Sequence, residues 1–179
     1  MSNTPDAEGR ANRPGEPSWP VRQPLGHGIP LWVKDGAYFF ITLCTRERAG
    51  QPLLQGDLPA RLIESVRHLH LVGRWYARLF LIMPDHVHGL VTFPPDIGLA
   101  AQVAAWKGYA AKKLGVVWQE RFFDHRIRNN DSLDEKAYYI RMNPVRAGLV
   151  ERPEQWPYVF DDMAADARFG SAGTPRPTI

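Results

Sequence analysis

One cysteine, Cys44, among 179 residues excludes a disulfide framework and any cysteine-built zinc cluster. A lone thiol fits a reducing compartment. Long apolar runs are missing too. No stretch approaches the ~20 apolar residues that cross a bilayer, and the first twenty residues lack the apolar centre of a secretory signal. The expectation is a soluble, cytoplasmic protein with no membrane partner. Internal repeats are absent, and Gly26, Gly28 and Gly36 do not have the spacing of a phosphate loop. Net charge is a modest +3 with a pI near 9.2, too weak by itself to name nucleic acid as partner. Its distribution is less even, because lysines and arginines outnumber acids between Lys107 and Arg146.

Length predicts one domain with a core of its own. Residues 1–24 and 163–179 are rich in Pro, Gly and polar residues without periodicity, so both ends are expected to be flexible around a domain at 25–162. Within it, Ala37 to Cys44 is aromatic and β-branched, which predicts a buried strand. Leu58, Leu62, Val66 and Leu69 have helical spacing and predict a helix to Leu71. Strands at Trp75–Met83 and His86–Phe93 flank a Pro84-Asp85 break, a hairpin. Val103, Trp106, Ala110 and Leu114 mark a second helix from about Leu99. Val116 to Ile127 reads as a short irregular strand. A third helix is expected from Ser132, where Ser132-Leu133-Asp134-Glu135 has the form of a capping box, to about Asn143, because Pro144 cannot continue it. This order predicts an α+β fold: a ferredoxin-like split βαβ sandwich, an antiparallel sheet with helices packed on one face.

Chemistry enters with His86-Val87-His88. On a strand the two imidazoles share a face about 7 Å apart along the chain, a spacing at which both can grip one divalent ion. His68-Leu69-His70 has the same letters on a predicted helix, where the two point roughly 200° apart. Only the later pair can chelate. On the third helix Tyr139 and Asn143 are four residues apart, about 40° around the axis, beside the apolar stripe Leu133, Ala137, Ile140. An amide oxygen and a phenol could thus meet a histidine-bound metal, a combination that suits phosphoryl transfer through a covalent phosphotyrosine. Tyr139 is the favoured nucleophile, since Tyr138 is followed at that spacing by Met142 and Tyr109 by Lys113. Asp85 reads as a turn residue pointing away from His86, and His125 as a polar residue of an exposed strand. Arg121, Arg126, Arg128, Arg141 and Arg146 are candidate phosphate contacts. Trp32, Trp106, Trp118 and Trp156 read as core.

Four ordered motifs carry a resemblance. They are Met83-Pro84-Asp85-His86-Val87-His88-Gly89-Leu90, Val117-Trp118-Gln119-Glu120-Arg121-Phe122-Phe123-Asp124-His125, Tyr139-Ile140-Arg141-Met142-Asn143-Pro144-Val145-Arg146-Ala147-Gly148-Leu149, and Trp156-Pro157-Tyr158. Together they make the chain, over about Leu31 to Phe160, similar to the REP-associated tyrosine transposases, within the single-tyrosine HUH transposases of insertion sequences. The resemblance implies a ferredoxin-like fold, Mg²⁺ or Mn²⁺ as cofactor, and cleavage and rejoining of single-stranded DNA beside a palindromic hairpin. It implies that His86 and His88 bind the metal, that Tyr139 attacks, and that Asn143 completes the site where insertion-sequence relatives carry a glutamine. It further implies a monomer working at the nucleoid, although insertion-sequence relatives form dimers. Rival expectations are a domesticated transposase that binds hairpin DNA without cutting it, and a metal-dependent phosphodiesterase of small molecules.

Overall fold

The computed structural model describes residues 37–162 apart from 95, 97, 128 and 129, and omits the side chains of 130–132. The expected flexible ends, together with Trp32 and Arg128, lie outside the described residues. Among these, β1 (Tyr38–Cys44), β2 (Tyr76–Ile82), β3 (His86–Thr92), β4 (Phe123–Ile127) and β5 (Val159–Asp161) form one sheet in the order β4-β1-β3-β2-β5. Every neighbouring pair is antiparallel. Helix α1 (Leu58–Leu71) joins β1 to β2, with β3 inserted between them, and α2 (Leu99–Leu114) joins β3 to β4 on the far side of β1. This is the expected α+β, split βαβ arrangement. β5 is an addition at the edge, in a segment that carries no strand expectation because three residues are too few for a period to show.

Alternation divides the strands between two cores. Ile41, Leu43, Val87 and Val91 pack with Leu62 and Val66 of α1 and with Val103, Trp106 and Ala110 of α2. On the other side Phe40, Leu79, Leu81 and Leu90 pack with Leu133, Ala137 and Ile140 of a third helix, α3 (Asn130–Arg141). The expectation of helices on one face therefore holds for α1 and α2 and is corrected for α3. The cause lies in the middle strands, where Leu79 to Met83 are all buried whichever side they face. A one-sided layer would leave Leu79, Leu81 and Leu90 in water, at about 2 kcal/mol each.

Three boundaries differ from the sequence reading. Of the span 116–127 only the last five residues form a strand, and Trp118 makes a single bridge to Thr45. Helix α3 begins at Asn130, so Ser132 lies inside it and does not cap it. It also stops at Arg141, and Asn143 opens a separate turn, α4 (Asn143–Arg146). Pro144 is the reason: lacking an N–H, it leaves the carbonyl of Ile140 without its helical donor. The Asn143 side chain replaces that donor, its Nδ2 lying 3.2 Å from Ile140 O and 2.9 Å from Tyr139 O.

Candidate active site

The register of β3 against β1 places His88 directly across from Thr42, and His86 across from Cys44. Alternation sends His86, His88 and Leu90 toward α3, while Val87 and Val91 face the other core. The two imidazoles converge, with His86 Nε2 and His88 Nε2 3.1 Å apart. Two donors held about 2.1 Å from one octahedral ion stand about 3 Å from each other, so this spacing fits a shared divalent cation. The rear nitrogens are occupied as in metal-ligating histidines generally. His86 Nδ1 donates to Asp85 Oδ1 at 2.6 Å, and His88 Nδ1 lies 2.9 Å from the Thr42 hydroxyl. Among the described residues no cluster of three or more His, Cys, Asp or Glu side chains is grouped to hold a metal.

Burial controls the charge of this pair. His88 is 6% exposed, and desolvation, with lesser repulsion from His86 and Lys136, pushes its pKa down from 6.5 to about 3. It is neutral at physiological pH, as a metal ligand must be. For Asp85 burial acts upward, but hydrogen bonds from His86 and Arg48, with their charges, hold the carboxyl below its ordinary value. Arg48 Nε reaches Asp85 Oδ2 at 2.5 Å.

Tyr139 stands over this pair. Its ring lies edge-on, 6.4 Å from the His88 imidazole and 6.3 Å from the ring of Phe40, and it is 38% exposed. Two cations flank it. Lys136 Nζ is 5.3 Å and Arg146 Cζ 5.0 Å from the ring centre, so α3 and α4 set positive charge against the faces of the ring. Tyr138, one position along, is 66% exposed. Tyr109 is carried by α2, on the opposite side of the sheet. His68 and His70 diverge as their helix requires: His68 is exposed, whereas His70 packs between Tyr76 and Phe160, its ring 4.7 and 5.1 Å from theirs.

The candidate phosphate contacts part company. Arg146 borders the phenol, and Arg121 and Arg126 are exposed. Arg126 faces Phe39 in the register, so it points away from the histidine side. Arg141 has a different role: Nε and Nη2 grip the two carboxylate oxygens of Asp161 at 2.7 and 2.9 Å, tying α3 to β5. The ion pair gives Arg141 a structural role within the fold. His125 is exposed, as expected.

Three residues of the site escape sequence reasoning. Strand alternation sets Asp85 on the opposite face, but Asp85 precedes the strand, in the turn, where alternation does not apply, and its carboxylate turns back to His86. An Asp immediately before a ligand-type His was the usable signal. Thr42 shows only through pairing between strands. Lys136, read merely as one cation of a basic stretch, precedes Tyr139 by three residues, which is one helical turn. Trp106, Trp118 and Trp156 are buried, as expected.

Comparison with known proteins places the chain in a family. The family described as "Transposase IS200 like" matches residues 34–143. A REP-associated tyrosine transposase of Escherichia coli strain K12 is 27% identical over 134 residues, covering 71% of this chain and 77% of that protein. A Haemophilus influenzae relative, provisionally given the same description, is 33% identical over 144 residues, covering 71% of this chain and 80% of its own length. The solved structure of a REP-associated tyrosine transposase bound to a REP hairpin superposes with a TM-score of 0.62 at 23% identity, spanning 90% of this chain and 99% of that one; it speaks for the shared fold. With the family match and the 33% identical relative together, the chain belongs to the IS200-like transposases, as a DNA-cleaving tyrosine transposase of the REP-associated kind.

Proposed function

We propose that this transposase nicks and rejoins single-stranded DNA next to hairpins of the REP type, with Tyr139 as nucleophile and His86 and His88 as ligands of a divalent cation. The observation that carries the proposal is the convergence of the two Nε2 atoms, 3.1 Å apart, beside the Tyr139 ring. The hairpin itself is carried over from the relative that binds one. Asn143 Oδ1 is the proposed third donor, its Nδ2 being committed to the carbonyls of α3. Two imidazoles fit Mn²⁺ better than the harder Mg²⁺. Held by His86 and His88, such a cation would supply Lewis acidity to a phosphate oxygen and make phosphorus the better electrophile.

The chain's own residues do the rest. The Tyr139 oxygen forms a bond to phosphorus as the bond from phosphorus to the 3′-oxygen breaks. The phenol proton leaves to solvent, and the departing oxygen takes up a proton to become a free 3′-OH. The 5′-phosphotyrosine that remains keeps the energy of the broken phosphodiester, and a 3′-OH can return along the same path with no nucleotide cofactor. Lys136 and Arg146 stabilise the negative charge that gathers on the phenol oxygen and the phosphate. Phe40 and His88 hold the ring edge-on, so little orientation is lost before attack.

The test is a labelled hairpin-bearing single strand incubated with Mn²⁺. A denaturant-resistant protein–DNA adduct is expected from the wild type and not from Tyr139→Phe or His86→Ala. An adduct that persists in Tyr139→Phe refutes the assignment of the nucleophile, and hairpin binding without any adduct supports the non-cutting binder instead.

A further inference from the structure

The two histidines are not equivalent behind their metal-facing nitrogens. We infer that Asp85, braced by Arg48, is a positioning residue that locks His86 in the tautomer with a free Nε2 lone pair, while His88 is left able to change tautomer. The inference rests on the reading of the pair as a metal site.

A carboxylate only accepts hydrogen bonds. With Asp85 Oδ1 2.6 Å from His86 Nδ1, the proton of the neutral ring must sit on Nδ1, and Nε2 then presents its lone pair toward His88. Asp85 itself has little freedom. Its other oxygen takes the Arg48 Nε–H at 2.5 Å, and its backbone carbonyl accepts the Thr45 N–H at 2.9 Å and shares the Thr45 hydroxyl proton, 2.8 Å away, with the Glu47 carbonyl. The turn before β3 is thereby fastened to the end of β1, and the carboxylate is aimed by two side chains and a backbone amide from another part of the chain. His88 meets a hydroxyl instead, and the Thr42 oxygen can donate or accept. Asp85 therefore fixes the tautomer of His86 for a cation, whereas the Thr42 hydroxyl accommodates either tautomer of His88.

The experiment is made on the full chain with Asp85→Asn, which keeps the size of the side chain but can offer an N–H to Nδ1 and so favour the proton on Nε2. Long-range ¹H–¹⁵N spectra of the metal-free protein are expected to show His86 as Nδ1–H in the wild type and as Nε2–H in Asp85→Asn. Calorimetric titration with Mn²⁺ alone is expected to show affinity reduced about 10- to 100-fold in Asp85→Asn and by a smaller factor in Arg48→Ala, with hairpin binding in EDTA unchanged in both. Arg48 is exposed, so its variant keeps the comparison open should Asp85→Asn not fold. A wild-type His86 carrying its proton on Nε2, or Asp85→Asn binding Mn²⁺ within twofold of wild type, overturns the inference. Should the wild type bind no Mn²⁺ through His86, the metal-site reading falls, while the tautomer spectra still decide the role of Asp85.

Discussion

His88 and Gly89 are neighbours on β3 that face opposite cores, and each is held to its identity by what it meets. A Cβ on Gly89 would lie 2.9 Å from Phe80 Cδ2 and 3.1 Å from Ile41 Cγ1, inside the core under α1 and α2. Gly89→Ala is expected to cost about 1–3 kcal/mol by overpacking, and an unchanged melting temperature would refute the contact. His88 makes stability depend on pH. Its pKa falls from 6.5 to about 3 on folding, so between those values the unfolded chain binds the extra proton. Stability of the metal-free protein should decline as pH drops from about 6.5 toward 3. His70, also lowered by its burial, acts in the same direction, and comparison with His88→Gln separates the two. Thermal melts across that range should fall less steeply in the variant; parallel curves would mean that His88 is not buried neutral. At this scale the sequence pointed to His86, His88 and Tyr139, which the fold brings together, but did not show what packs behind them. Thr42 lies 46 positions from His88, and only pairing of β1 with β3 makes them partners.

Helix α3 is the element that turns a histidine pair into a site. Its stripe of Leu133, Ala137 and Ile140, all buried, fixes which side meets the sheet, and Tyr139 beside the stripe is carried to the rim of the histidines. The stripe was legible in the sequence. The sheet face it covers was signalled too, by the unbroken apolar run Leu79 to Met83, since a strand buried on both sides shows a continuous run and not an alternating one. The C-terminal end of α3 depends on two side chains. Asn143→Ala should leave the Ile140 carbonyl without the donor that Pro144 cannot supply and lower stability by about 1 kcal/mol. Arg141→Ala breaks the fork on Asp161 and with it the tie to β5. A loss of about 1–2 kcal/mol is expected for such a half-buried bidentate pair, with hairpin affinity retained. If Arg141→Ala instead lost DNA affinity at unchanged stability, the structural role given to it would be wrong.

For the molecule as a whole, the cations proposed to meet phosphate are gathered by the fold and not by their spacing. Arg146 comes to the phenol through α4, Lys136 through α3, and Arg126 points to the other side of the sheet. Affinity for single-stranded DNA should fall linearly with the logarithm of salt concentration, with a slope of about −0.7 per phosphate contact, and Arg146→Ala should make it shallower by about that amount. A slope equal to wild type would remove Arg146 from the interface. The sequence by itself determined the kinds of elements, most of their limits and the identity of the chemical groups. Periodicity and ligand type are local properties that survive in a bare string of residues. Tertiary structure alone decided that Thr42 stands behind His88, that Arg48 braces Asp85, and that Arg141 pairs with Asp161. Each of these follows from which distant strands and helices come into contact, and such contacts are set by burying both faces of one sheet at once.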